Sequence, residues 1–228
     1  MNHIFFDLDR TLWDFELNSK ETLIEIYERY NLSNLGIDNY HDFIKKYKII
    51  NEELWDLYRK NKISQNKLRE YRFQKTLEEY NIYNINLARQ IGDEYIEICP
   101  RKNKLFPKTQ ETLNYLKKKY VLHIITNGFH KTQHIKLKHS NLNNYFNQII
   151  TSEDAGVKKP NPKIFEYALA KAKAKSLHSI YVGDDLIVDI EGCQKCGIDG
   201  VYFNPSKKKH NYNPKFEIDC LSILTEIF

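Results

Sequence analysis

Five short apolar runs punctuate the chain: "HIFFDLD" near the start, then "VLHIITNG", "NQIITSED", "SIYVGDD" and "GVYFNP" in the second half. Each has the length of a strand and is rich in β-branched or aromatic residues, and most end in polar or glycine-bearing turn residues. Between the later runs lie "PKTQETLNYLKKKY", "KTQHIKLKHSNL", "NPKIFEYALAKAKA" and "LIVDIEGCQKCG", which read as helices. Strands alternating with helices imply right-handed crossovers, and so a mainly parallel sheet covered on both faces. A last short strand near Phe216 to Asp219 and a terminal helix would close one edge. The pattern predicts a three-layer α/β fold.

Residues 16–98 follow a different rule. They contain no proline, only two glycines (Gly36 and Gly92), and no run that reads as a strand. Asn18 and Glu21 have the spacing of a capping box, which predicts a helix start. Leu23, Ile26, Tyr27 and Tyr30 then follow the i, i+3, i+4, i+7 spacing of one buried stripe. Further helical segments are expected at 38–50, 52–60, 64–80 and 85–98. An all-helical block set in after the first strand reads as a cap over residues 16–99. The core would then comprise 1–15 and 100–228, with Pro100 and Pro107 flanking the return.

Length and composition agree with this division. The 228 residues suffice for one substantial core and a smaller accessory domain, and 41% hydrophobic with 29% charged residues excludes a disordered chain. No apolar run approaches the ~20 residues needed to cross a bilayer. The N-terminal residues lack the basic and then apolar segments of a signal peptide. A cytoplasmic protein without membrane contact is expected, a monomer or weak dimer. The net charge of +5 favours anionic small molecules, while Lys117–Lys119 and Lys207–Lys209 read as solvated faces and no nucleic-acid polymer is expected. Four cysteines are too few for a disulfide framework, and Cys193 and Cys196 lie in a helical pattern where packing is their expected role. His130 and His134 lack the intervening glutamate of a zinc helix and read as surface residues.

The strand ends carry the candidate chemistry. Asp7 and Asp9 stand two apart after the first run, so on extended backbone both can face one pocket. The second run ends in Thr126, Asn127 and Gly128: a hydroxyl, an amide and a backbone that a ligand can approach. Lys158 and Lys159 precede Pro160 and a helix; "VGDDLIVDIEG" adds Asp184, Asp185 and Asp189. Ligands of open α/β sheets bind beyond the carboxyl ends of the strands. Five carboxylates gathered there would repel one another unless a cation neutralised them, and hard oxygen ligands of this kind suit Mg²⁺ with a phosphate oxygen completing its sphere.

In this order the four motifs resemble those of the haloacid dehalogenase superfamily: D-x-D-x-T, a threonine or serine, K-P, and G-D-x-x-x-x-D. The helical insert resembles that superfamily's first type of cap, on a Rossmann-like core. The longer strings "FFDLDRTLWDF" and "SEDAGVKKPNPKIF" are similar to the pyrimidine nucleotide 5′-nucleotidases. The resemblance implies a Mg²⁺-dependent phosphomonoester hydrolase working through an aspartyl phosphate, with a small phosphorylated metabolite as substrate. Asp7 would be the nucleophile and Asp9 the general acid and base. Thr126, Asn127 and Lys159 would hold the phosphoryl group. Asp7, Asp184 and the backbone carbonyl of Asp9 would bind the metal, with Asp189 orienting its water and Asp185 beside it. Nucleoside monophosphates are the expected substrates; a sugar-phosphate phosphatase or a phosphomutase is the alternative. A metal-independent dehalogenase would need neither Asp9 nor the Asp184 group, and an inactive scaffold would not need the full set of acids and lysine. Trp13, Phe15, Trp55, Tyr58, Arg69 and Arg72 could stack on a base or pack the helices.

Overall fold

A computed structural model describes residues 2–228. The chain divides into two compact units, one comprising the residues up to Phe15 together with Asn103–Phe228, the other Glu16–Lys102.

The first unit is built on six parallel strands: β1 (His3–Phe6), β2 (Val121–Thr126), β3 (Phe146–Thr151), β4 (Ser179–Gly183), β5 (Asp199–Phe203) and β6 (Phe216–Ile218). Their order across the sheet is β3-β2-β1-β4-β5-β6. β1 is therefore central, with Phe6 paired to Ile124 on one side and Val182 on the other. Successive crossovers run outward in opposite directions from β1, and the gap this leaves lies at the carboxyl ends of β1, β2 and β4. The expected α/β architecture is the observed one.

Burial explains why the strands read so clearly. Ile4, Phe5, Phe6, Ile124, Ile125, Tyr181 and Val182 are all fully buried. A sheet covered on both faces produces such continuous apolar runs instead of alternation. Phe5, Ile125, Tyr181, Phe165, Ile164 and Cys193 form part of one core cluster. The Cys193 thiol lies 3.2 Å from the Ile190 carbonyl and burial pushes its pKa up, as expected of a packing residue.

The second unit holds four helices: α1 (Phe15–Arg29, its first residue belonging to the first unit), α2 (Tyr40–Arg59), α3 (Gln65–Glu78) and α4 (Ile85–Ile98). The side chains of Asn39, Ser64 and Asn84 accept the cap hydrogen bonds of α2, α3 and α4. Two sequence expectations fail here. α1 begins before Asn18, so Asn18 is a buried residue of its interior and not the start of the helix. α2 runs unbroken through the expected division between 50 and 52, because Asn51 is buried and does not turn the chain. Of the predicted stripe, Leu23 and Ile26 are buried while Tyr27 and Tyr30 are half-buried.

Tyr47, Phe73 and Tyr95 pack centroid to centroid at 4.9–5.5 Å in this unit, with the Arg72 guanidinium 4.7 Å above the Tyr95 ring. Trp55 and Tyr58 meet edge to face at 5.6 Å. Among the described residues no helix is long and apolar enough to cross a membrane.

Candidate active site

At the end of β1 the Asp7 N–H donates to the Val182 carbonyl at 2.9 Å, so the aspartate continues the strand into the gap. The chain then turns sharply, with the Leu12 and Trp13 N–H groups on the Leu8 carbonyl and Arg10 at a positive φ of 63°. Lys159 arrives from the loop before α8 (Pro162–Ala172, following α5 Thr109–Leu116, α6 His130–His139 and α7 Ser152–Ala155). Its ammonium, 2% exposed, donates to Asp7 Oδ1 at 2.6 Å, Asp189 Oδ1 at 2.6 Å and Tyr181 Oη at 2.8 Å. All three of its protons are thus used. Burial by itself would lower the Lys159 pKa, but Asp189 and Asp7 outweigh it and the net direction is up.

Lys159 is set in place by Asn127. The Asn127 Oδ1 accepts from the Lys159 N–H at 2.8 Å and its Nδ2 donates to the Lys159 carbonyl at 3.0 Å. This alters the sequence reading: the Asn127 side chain clasps the lysine backbone and does not stand free for a phosphoryl oxygen. Lys158, its neighbour, is half-buried, and that burial lowers its pKa.

Of the five carboxylates expected together, three gather. Asp7, Asp184 and Asp189 each offer an oxygen within 4.8 Å of the others. Thr11 donates to Asp184 Oδ1 at 3.3 Å. Asp185 turns away and accepts the Ile187 and Val188 N–H groups, capping a π-helical turn over Leu186–Glu191 where a plain α-helix was expected. That wide turn brings Asp189 back beneath β4, where Asp189 Oδ2 takes the Asp185 N–H at 3.1 Å. A Cβ at Gly183 would collide with the Asp189 carboxylate, so only glycine allows this approach.

One lysine among three carboxylates leaves the group under-neutralised. Burial raises the Asp7 carboxyl to about 7 against the lowering effect of Lys159, and burial, Asp189 and Asp7 raise that of Asp184 well above the carboxylate range. A hard divalent cation is the partner such a donor set fits, and Asp7, Asp184 and Asp189 are the side chains that could hold it.

Asp9 lies outside this trio. Its Oδ1 accepts from Lys136 Nζ at 2.5 Å and its Oδ2 from Gln133 Nε2 at 2.8 Å, both on α6. Gln133 also donates to Thr126 Oγ1 at 2.6 Å, and the Gly128 N–H reaches the same oxygen at 3.0 Å. With two donors on its oxygen, the Thr126 hydroxyl keeps its own proton for an acceptor. Tyr181, Gln133 and Lys136 escaped the sequence reading, and Thr11 entered it only as the last residue of the first motif. The signal for the α6 pair was the i, i+3 spacing of two polar residues on a short helix directly after a strand end.

Comparison with known proteins yields a consistent set. A family model described as haloacid dehalogenase-like hydrolase matches residues 4–203. The HAD-hydrolase YfnB of Bacillus subtilis is 30% identical over 98% of this chain and 94% of its own length. Its magnesium-bound crystal structure superposes with a TM-score of 0.90 over 99% of this chain and 97% of that one, at 29% identity. The pyrimidine 5′-nucleotidase YjjG of Escherichia coli is 31% identical over 88% of this chain and 85% of its own. The crystal structure of a 2-haloacid dehalogenase from Pseudomonas syringae matches at 29% identity and a TM-score of 0.69, over 100% of this chain and 97% of that one.

Proposed function

Because the chain belongs to the haloacid dehalogenase-like hydrolases, we propose that it hydrolyses phosphomonoesters by transferring the phosphoryl group to Asp7. The observation that carries this over dehalogenation is Asp9, an acid two residues after the nucleophile with both oxygens held by donors from α6. Displacing a halide needs no proton donor, whereas an alkoxide leaving from phosphorus does.

In the first half-reaction an Asp7 oxygen attacks phosphorus and the ester P–O bond breaks. Protonated Asp9 gives its proton to the departing alkoxide. In the second half, water attacks the phosphorus of the aspartyl phosphate, Asp9 takes the water's proton, and the bond to Asp7 breaks to free inorganic phosphate. Splitting one difficult displacement in two is the gain from the covalent intermediate. The Thr126 hydroxyl donates to a phosphoryl oxygen, the Lys159 ammonium, its protons held by Asp7, Asp189 and Tyr181, contributes its positive charge, and Asn127 holds Lys159 in register. Asp189 and Tyr181 keep the Lys159 ammonium fixed and charged. The Asp7 and Asp184 carboxylates with the Asp9 backbone carbonyl would hold Mg²⁺, which when bound supplies charge neutralisation and phosphoryl orientation.

Nucleoside monophosphates are the proposed substrates, supported by the likeness to a pyrimidine 5′-nucleotidase. The helical unit Glu16–Lys102, rich in aromatic and guanidinium groups, is the proposed selector of the leaving group. Four free cysteines (Cys99, Cys193, Cys196 and Cys220) suit a reducing compartment and support a cytoplasmic site of action. The test is a panel of nucleoside and sugar monophosphates with Mg²⁺, read as phosphate released, with Asp7→Asn as control. Nucleotide hydrolysis abolished in Asp7→Asn supports the reading. No phosphate from any ester, or activity retained without Asp7, overturns it, and transfer back to a sugar would mark a phosphomutase.

A further inference from the structure

The arrangement around Asp9 is more elaborate than an acid and base at a strand end requires. Lys136 is only 6% exposed, Gln133 is fully buried, and each gives a hydrogen bond to a different oxygen of the same carboxylate. The Lys136 ammonium also sits 4.4 Å above the ring of Trp13, which lies in the same loop as Asp9. Gln133 ties Asp9 to Thr126, so residues from the ends of β1 and β2 are joined through one amide.

Two further facts point the Gln133 amide at Asp9. A Cβ at Gly128 would collide with the Gln133 amide, so the glycine after Asn127 makes room for this side chain. The Gln133 Oε1 is buried and finds no hydrogen-bond partner among the described residues. Flipping the amide would set that oxygen against a carboxylate, so the residue forgoes one hydrogen bond to keep its donor on Asp9. An apolar residue of the same size would pack here without that loss.

We infer that Lys136 and Gln133 are positioning residues that hold the Asp9 carboxyl where the leaving alkoxide and the attacking water both need it. The inference rests on the phosphatase reading above. An Asp side chain free to rotate about two bonds would be misplaced for much of the time; two donors from one helix remove that freedom. Steps that use Asp9 should therefore suffer when the pair is lost, and steps that do not use it should be spared.

Esters with different leaving groups separate these cases. Lys136→Met keeps the packing stem over Trp13 and removes the donor; Gln133→Met keeps the volume and removes the amide. In either variant, kcat/KM for an alkyl ester such as a nucleoside monophosphate should fall about 100-fold, the lower end of what a placed acid contributes. For 4-nitrophenyl phosphate, whose leaving group departs without a proton, kcat/KM should fall by less than about threefold. That aryl ester should also give a fast first release of nitrophenol and then slow turnover, with phosphate retained on acid-quenched protein. Lys136→Arg should recover most of the alkyl activity.

Equal losses on both esters, tracking a lowered melting temperature, would mean a merely structural pair and would overturn the inference; so would unchanged alkyl kinetics in both variants. If the wild-type chain with Mg²⁺ hydrolyses neither ester, the phosphatase reading falls and this inference with it. That failure shows before any variant is made, so the two are told apart.

Discussion

Asp7→Asn should abolish turnover and yet stabilise the metal-free protein. Burial raises the Asp7 carboxyl to about 7 from an ordinary 3.8, even with Lys159 at 2.6 Å. Three units at about 1.4 kcal/mol each give roughly 4 kcal/mol for ionising this group in the folded state at alkaline pH. Asparagine avoids that cost and still offers Oδ1 to Lys159, whose attraction for the carboxylate the raised pKa already includes. The gain is therefore about 4 kcal/mol, or roughly 8–16 °C in melting temperature for a chain of this size. Its pH dependence follows from the raised pKa. The folded protein keeps this proton up to a pH near 7 while the unfolded chain releases it near 3.8, so wild-type stability from this group is lost as pH rises between those values. The variant should match wild type near the lower value and exceed it fully above the upper one. Thermal melts of both proteins in chelator across that range give the answer. Asp7→Asn melting below wild type at alkaline pH, or by a margin independent of pH, would refute the reasoning.

The other expectations concern single elements of the same arrangement. Lys159→Ala should lower kcat/KM by about 3–4 kcal/mol of transition-state stabilisation while Lys158→Ala changes it little, and kinetics on the two variants checks the register of the motif. Asn127→Ala removes both clasps on the Lys159 backbone and should lower kcat about tenfold, with substrate-saturated rates as the measurement. His123, buried and 3.1 Å from His3, has its pKa lowered to about 4 first by burial and then by His3. The folded chain therefore resists a proton that the unfolded chain accepts below about 6.5, and about 3 kcal/mol of stability should be lost as pH falls from there towards 4. His123→Phe should flatten that slope in denaturant titrations. Chelation should abolish hydrolysis, Mg²⁺ should restore it, and Ca²⁺, which prefers longer bonds and more ligands, should inhibit; phosphate release under each ion decides this.

The sheet was readable because its strands are buried on both faces, so Ile4 to Phe6 and Ile180 to Val182 appear as unbroken apolar runs. The helices of the second unit were readable in place but not in number or in their ends: five segments are expected and four α-helices form, because α2 joins two of them. Asn18 and Asn51 have the residue type of caps and turns, yet both are buried in helix interiors, where tertiary packing overrides local preference. At the site, Asp7, Lys159 and Asp184 stand beside strand ends and short motifs, and local sequence announces them. Asn127 was found but given a different task, since only the fold shows that its amide meets the Lys159 backbone. Gln133 and Lys136 lie 124 and 127 positions from the Asp9 they contact; their i, i+3 spacing marks a shared helix face, but only the fold shows that the face meets Asp9.

The central claim is that Asp7 carries the phosphoryl group between substrate and water. It is tested most directly by mixing enzyme, Mg²⁺ and a turning-over phosphomonoester, quenching with acid within one turnover, and locating covalent phosphate by tandem mass spectrometry of the peptide "HIFFDLDR". The account predicts phosphate on Asp7, at a level that rises in Lys136→Met and vanishes in Asp7→Asn. Turnover with Asp7 unmodified at every quench time in both wild type and Lys136→Met, or phosphate on another side chain, would contradict it.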